Sequence, residues 1–425
     1  MVPVVLGKAL RTLGRLRGGG SAFPGWAVLR LAPDFLQDAT AQFAHGIVFV
    51  LGSNGKSTTT HMLSEVLRAH GVSVFTNPSG ANLPQGIASS LLAEVNLFGR
   101  VNADIAVLEV DEAYALELAA ILRPTTVLAL NTQVDQLYRF YETERVADMM
   151  LDTLAVAQTH IVSNRDDPYL SKIDTRFAEK AAVDRPDISY FGVSEQVIAA
   201  SAHGLVNAHD YRDEAVQTAP RFALAEVTAT SKTGATVLVD GELVEVVLPS
   251  KGLHYAIDAA AAMAAARVIL AERFDTSAAA RAFAAMKPAY GRGELLQFGA
   301  EQVEFVMFKN AASLQLNLDA ITDVPEQVML AIDEGTPDIS WIYDVDFSAI
   351  DHVDVITGAK AWQIALCLAH QGIPIGRVEP DLKIAIEFMR GLEKPSTGLK
   401  TWIVNYEQMM LARKLIGFGE MENQR

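Results

Sequence analysis

Cysteine is almost missing from this sequence: Cys367 is the single one in 425 residues. No disulfide and no cysteine-based zinc site can form within the chain, and a reducing compartment, the cytoplasm, fits. Positive charge is scarce as well. Thirty-five Lys and Arg against 51 Asp and Glu leave a net charge of −16, which repels phosphate backbones and predicts no nucleic-acid partner. No apolar run approaches the roughly 18 residues that span a bilayer. The N-terminus lacks a sustained apolar h-region and a clear cleavage site, so neither a span nor export is predicted. What is abundant is apolar side chain, half of all residues. At this length that suffices for two or three packed domains, since single cores stop growing near about 250 residues.

The N-terminus departs from the acidic average. Lys8, Arg11, Arg15 and Arg17 all precede the first acidic residue, Asp34. At helical spacing Leu6, Leu10 and Leu13 share one face while Lys8, Arg11 and Arg15 share another, ending at Gly18 to Gly20. Residues 1–45 are therefore read as a basic amphipathic segment. Two destinations are open to it, its own domain or an anionic membrane surface, which leaves the inner membrane face as a peripheral location beside the cytoplasm.

From Gly46 the sequence alternates. GIVFVL (46–51) reads as a buried strand, followed by a glycine turn and a helix, THMLSEVLRAHG; the runs VSVFT (72–76), IAVLEV (105–110), TVLAL (126–130) and HIVSN (160–164) repeat the pattern. That alternation predicts an α/β domain with a mostly parallel, doubly wound sheet. Between Ser189 and Val247 short strand-like pieces with polar turns predict a small antiparallel insertion, and HYAIDAAAAMAAARVILAERF predicts a long helix. A second series then begins: EFVMF, VMLAI, VDVITG, PIGRVE and TWIVN. The expected division is 46–294 for a central domain and 295–425 for a Rossmann-like α/β C-terminal domain.

The segment GSNGKSTTT, Gly52 to Thr60, sits between the first strand and the first helix of that series. Gly52 and Gly55 let the backbone approach a polyphosphate, and the amides at a helix start point toward its oxygens. Ser53, Asn54 and Thr58 belong to the same cradle. Lys56 is expected on the β and γ phosphates and the Ser57 hydroxyl on magnesium. Val50 stands where the commonest phosphate loop has a glycine, so the motif's weight comes from its strand–loop–helix setting. Glu109, in LEVDE, and Asn131 end later strands at the ligand-gathering edge of a parallel sheet; each reads either as a site residue or as a solvated strand end. Asp166 and Asp167, in NRDDP, read as turn and cap residues rather than metal ligands.

GSNGKSTTT, SGAN (79–82), LEVDE (108–112), NTQVDQLYRF (131–140) and SNRDDP (163–168) together resemble the central domain of the Mur ligase family. FKNAAS (308–313), PDISWIYDVDF (337–347) and VNYEQ (404–408) resemble the C-terminal domain of its MurT subfamily. The resemblance covers nearly the whole chain. It implies an ATP-dependent carbon–nitrogen ligase that pairs with a GatD-like class I glutaminase. The implied reaction activates the α-carboxyl of D-glutamate in the lipid II stem peptide as an acyl phosphate and amidates it with ammonia to D-isoglutamine. It also implies magnesium on Ser57 and Glu109, and nucleotide contacts from His254 and Asp258 in GLHYAID and from Arg292 in YGRGE. Asp338 is implied to complete the partner's glutaminase site, with Asp344 as the alternative. Three departures stand out: the subfamily's four-cysteine zinc ribbon cannot form, so no zinc is expected; Tyr255 and Asp258 replace the usual asparagines; and NAAS replaces asparagine-proline-alanine-glycine, keeping Asn310.

Two other readings compete. A self-sufficient amino-acid ligase resembling folylpolyglutamate synthase would bind its nitrogen donor directly. A non-catalytic ATP-binding scaffold would follow if the substitutions at Tyr255, Asp258 and NAAS abolished turnover.

Overall fold

The computed structural model describes residues 2–16, 22–77, 81–133, 143–177, 185–207, 221–287, 292–333 and 339–418. The chain opens on three helices, α1 (Val2–Leu16), α2 (Phe23–Leu31) and α3 (Phe35–Thr40). Then β1 (Ile47–Leu51), α4 (Lys56–Ala69), β2 (Val74–Thr76), α5 (Pro84–Glu94), β3 (Ile105–Glu109), α6 (Glu112–Leu122), β4 (Thr126–Ala129), α7 (Thr143–Leu154) and β5 (His160–Asn164) alternate. Every residue of β1, β3 and β4 is buried, as continuous apolar strands must be when helices cover both sheet faces.

One face packs α4 against the sheet through Met62, Leu63, Val66 and Leu67, and the other packs α5, α6 and α7. The N-terminal helices join this second core through Val4, Val28, Phe35 and Leu36. α1 does form, yet its inward face carries Val4 and Gly7, while Leu6 is turned out. Of the leucine stripe read from the sequence, Leu6 is therefore off the docked face, while Leu10 is half-buried. Gly7 decides this: a Cβ there would lie 2.4 Å from Val28 Cγ2, so only the glycine edge of α1 can close on α2.

The sheet continues past β5 through β6 (Asp187–Val193), with α8 (Glu195–Ala200) leading to the hairpins β7 (Ala225–Thr230), β8 (Gly234–Val239) and β9 (Glu242–Val247). Strand order is β2-β3-β1-β4-β5-β6-β7-β8-β9. The antiparallel pieces expected as an insertion do not fold apart; β7 pairs in parallel with β6, and the hairpins extend the same sheet.

Next comes α9 (Leu253–Leu270), followed by α10 (Thr276–Ala285). α9 is apolar nearly all round, which marks a buried helix. Leu253–Arg273 is long and apolar enough to cross a membrane, but two-thirds of it is buried against α4 and the sheet. It is a core helix.

A second sheet begins at Arg292, where β10 (Arg292–Phe298) pairs antiparallel with β11 (Glu301–Phe308). β10 was not foreseen, because RGELLQF lacks a clean alternation. It is followed by α11 (Ala311–Asp319), β12 (Val328–Ala331), β13 (Val353–Thr357), α12 (Ala361–His370), β14 (Ile375–Val378), α13 (Leu382–Gly391), β15 (Leu399–Asn405) and α14 (Tyr406–Leu415). All other pairings in the order β10-β11-β15-β12-β13-β14 are parallel. Two apolar layers, around Phe308 and Ile364 on one face and Trp402 and Met389 on the other, sandwich it.

Candidate functional site

Four loops meet at the carboxyl edge of the first sheet, where open parallel sheets gather their ligands: those after β1, β3, β4 and β5. The first is the segment Gly52 to Thr60, expected from the sequence to cradle phosphate. Gly55, the N-cap of α4, is left-handed at φ 84°, and a Cβ there would lie 2.4 Å from Asp258 Oδ1, on the second turn of α9. Gly52 has φ 151°, with the Leu130 side chain so close that a Cβ would meet it at 2.9 Å. Both glycines are thus required by space as well as by backbone angle.

The other loops hold this one open. Ser53 donates to the Gln133 carbonyl and accepts from the Gln133 amide, at 3.1 and 3.0 Å. Asn131 brackets Asn54, accepting its amide at 3.0 Å and donating to its carbonyl at 3.1 Å. Asp167 anchors the bracket from below. Fully buried, it accepts from the Thr132 amide (2.6 Å), the Thr132 hydroxyl (2.7 Å) and the Tyr169 and Leu170 amides (3.0 Å each). Burial pushes its carboxyl above the usual range against those bonds, so the loop is built on a costly, fully satisfied group. Asp167 thus has the turn role expected of it, whereas Asp166 accepts the Val193 amide at 2.6 Å from the end of β6.

Lys56 does not point outward. Its ammonium donates to Glu112 Oε1 at 2.5 Å and to the Gly52 carbonyl, all three being buried. Ser57 Oγ donates to Glu109 Oε2 at 2.6 Å. Asn77 fixes the backbone of Glu109 from both sides at 2.9 Å, aiming its carboxylate at the loop. Glu112 thus pairs with Lys56, Glu109 with Ser57, and Asp258 lies against Gly55, all four charged residues being at most 7% exposed. Three buried carboxylates against one ammonium would repel a polyphosphate. A divalent cation removes that excess, and a hydroxyl paired with a carboxylate is a hard-oxygen donor set of the kind magnesium takes. The residues present fit both groups.

The second sheet reaches into the same place. Asn310 caps α11, accepting from the Ser313 amide at 3.0 Å, and the same Oδ1 accepts from Asn54 Nδ2 at 3.1 Å. Its own Nδ2 is buried and makes no hydrogen bond among the described residues. An unmade donor beside a phosphate loop is a vacancy an anionic ligand would satisfy. Nearby, His203 clasps the domains, with Asp319 at 2.8 Å and Asp346 at 3.5 Å. Between the sheets lies a cavity of 190 Å³ lined by Lys251, Tyr255, Glu304, Asn317 and Thr401 among others. That is below the roughly 300–1,000 Å³ of ordinary ligand pockets. His254 rests on Tyr255 with ring centroids 4.3 Å apart, one turn of α9 before Asp258.

Gly52, Ser53, Asn54, Gly55, Lys56, Ser57, Thr58, Glu109 and Asp258 are thus gathered at one site. The backbone of Arg292 starts β10, but its side chain is outside the described residues, as is Asp338; Asp344 is described and exposed. Reading the sequence missed Glu112, Gln133 and Asn77. Glu112 had a signal, a second glutamate three residues after Glu109 in LEVDE. Gln133 had one too, lying beside Asn131; Asn77 had none. Among the described residues no three His, Cys, Asp or Glu gather into a metal-holding group.

Gly55→Ala tests the turn. A left-handed alanine and a Cβ pressed on a buried carboxylate should together destabilise by about 1–3 kcal/mol. The melting temperature should fall and nucleotide affinity should drop at least tenfold. Unchanged values in thermal unfolding and titration would show that the turn tolerates a side chain.

The profile of the Mur ligase middle domain matches residues 50–266, and that of the MurT ligase C-terminal domain matches residues 307–409. A Streptococcus pneumoniae protein described as lipid II isoglutaminyl synthase (glutamine-hydrolyzing) subunit MurT is 26% identical, over 94% of this chain and 93% of its own. MurF from Acinetobacter baumannii superposes with a TM-score of 0.67 at 18% identity, over 91% of this chain and 80% of that one. Mycobacterium tuberculosis folylpolyglutamate synthase, solved with ADP and AMPPCP, superposes at 0.66 with 15% identity, over 97% and 99%.

Proposed function

Since the chain belongs to the Mur ligase family, we propose that it is the ligase subunit of a glutamine-hydrolysing lipid II isoglutaminyl synthase in peptidoglycan biosynthesis. It uses ATP to activate the α-carboxyl of D-glutamate in the lipid II stem peptide and amidates it with ammonia from a GatD-like glutaminase. The observation that carries this is the pairing of a Mur ligase middle domain with a MurT-type C-terminal domain in one chain. The full-length likeness to a glutamine-hydrolysing synthase subunit supports it.

Acyl phosphate formation asks for positioning and charge neutralisation rather than a side-chain nucleophile. Gly52, Gly55 and the first-turn amides of α4 hold the triphosphate. Lys56 exchanges Glu112 and the Gly52 carbonyl for phosphate oxygens. Ser57 and Glu109 would hold magnesium, which when bound supplies the charge that lets phosphoryl oxygens lie among carboxylates. Asn310, already bonded to Asn54, turns its second amide atom to the nucleotide as the C-terminal domain closes. In line with the bound carboxylate, the γ-phosphoryl transfers to it, and ammonia then displaces phosphate to leave the amide.

The test is a product assay on lipid II with ATP and magnesium, with and without the glutaminase. Ammonium alone should support amide formation and ADP release, and glutamine should do so only with the partner present. Coupling of a free amino acid in place of ammonia would instead establish the self-sufficient ligase. ATP binding without turnover under any nitrogen source would establish the scaffold.

Zinc is not expected in this subunit, because Cys367 has no cysteine partner in the sequence. Elemental analysis of the purified chain should find far less than one zinc per molecule. A stoichiometric ion would refute this and direct attention to histidine and carboxylate ligands.

A further inference from the structure

We propose that α1 and α2 form a docking surface for an anionic lipid bilayer, independently of the reaction the site performs. Charge is the first observation. Residues 1–33 carry Lys8, Arg11, Arg15, Arg17 and Arg30 and no acidic residue. With −16 in total and +5 here, residues 34–425 carry −21. An anionic surface would therefore attract this end and repel the rest, setting an orientation.

The packing is the second. Gly25 sets α2 so close to α5 that a Cβ would lie 2.0 Å from the Gln85 carbonyl oxygen, and Pro24, Ala27 and Val28 are buried there. The other side of α2 presents Phe23 and Trp26, 56% and 51% exposed, stacked at 5.8 Å, with the Arg30 guanidinium 5.6 Å above the Trp26 ring. Along α1, with Val4 and Gly7 turned inward, Val5 and Leu6 are left 46% and 44% exposed. Large apolar groups rarely sit in water as a set. Aromatic rings beside arginine are suited to the headgroup boundary, where the ring is buried and the cation stays wet.

The surface is also mechanically tied to the site. α2 and α1 pack on α5, and just before α5 the Asn82 carbonyl accepts the Asp111 amide at 3.1 Å, two residues from Glu109. A chain held on a bilayer by α1 and α2 holds its phosphate loop at a constant height above the lipid.

Co-sedimentation of the full chain with vesicles tests the proposal, using phosphatidylcholine alone against phosphatidylcholine with phosphatidylglycerol. Binding should be at least tenfold stronger to the anionic vesicles and should fall as salt is raised from 0.05 to 0.5 M, both values chosen to bracket physiological screening. The variant Arg30→Glu, at an exposed position, should weaken binding by at least about fivefold, the loss expected for one basic residue near the surface. Phe23→Ser with Trp26→Ser should weaken it on both vesicle types, with thermal unfolding unchanged as the fold control. No vesicle binding, or equal binding to both compositions, overturns the proposal. So does a dimer in sedimentation velocity that the aromatic variant disperses, since a second copy would then cover the surface.

Discussion

Lys56→Ala should remove nucleotide binding almost entirely and amidation with it. Two charge-assisted contacts to phosphate oxygens contribute about 1.5–3 kcal/mol each, so the dissociation constant for ATP should rise by roughly 10²- to 10⁴-fold. The substitution has a second effect that the structure makes explicit. Glu112, 7% exposed and paired with Lys56 at 2.5 Å, would be left as a buried charge, and breaking such a pair destabilises by about 3–5 kcal/mol. Lost binding could then be confused with lost folding. The double variant Lys56→Ala with Glu112→Ala separates the two, recovering stability while leaving ATP unbound. Titration of ATP and magnesium into both variants, beside their thermal unfolding, is the measurement. Wild-type affinity in either would end the assignment of Lys56 to the phosphates.

Asp338→Asn should lower glutamine-dependent amidation by about 10²- to 10⁴-fold, by analogy with loss of the orienting aspartate in a serine-protease triad. The proposal is that Asp338 serves the glutaminase active site from across the subunit interface. A class I glutaminase has a cysteine nucleophile and a histidine base, and that base needs a carboxylate to fix its tautomer and stabilise its charged form. Supplying the carboxylate in trans would leave the glutaminase idle until the ligase docks. Of the flanking acids, Asp333 is held by Gln408 at 2.9 Å, and Asp344 is exposed at the end of a 3-10 turn, Ser340–Asp344. Asp344 therefore remains the alternative if Asp338→Asn is silent. Amidation with added ammonium should survive Asp338→Asn, because the phosphate loop and acceptor chemistry use other residues. Equal loss of both activities would make Asp338 structural, and loss of neither would make it a bystander.

The strand–loop–helix at Gly52 to Thr60 and both alternating series were legible from local signals. A buried parallel strand is apolar along its length, and only glycines allow the loop its two tight approaches, so composition and order declared the α/β class and nominated the phosphate site. β10 escaped because an antiparallel edge strand with Glu294 and Gln297 has no pattern of its own; it exists because β11 offers it a ladder. The insertion was read correctly as strands and incompletely as topology, since which sheet they join depends on β6 presenting an open edge.

Residue types near a motif could be nominated from the sequence, as Ser57 and Glu109 were, because the loop and the strand ends are fixed by connectivity. Partnership could not. Glu112 takes Lys56, Asp167 takes Thr132, and Asn310 reaches Asn54 from 256 positions away, and these contacts depend on how two sheets and their helices pack. For the same reason the sequence named an amphipathic α1 but not its buried side. Periodicity identifies a stripe of leucines, whereas Gly7 against Val28, a steric fact between two helices, decided that Val4 and Gly7 face the protein and Leu6 faces outward.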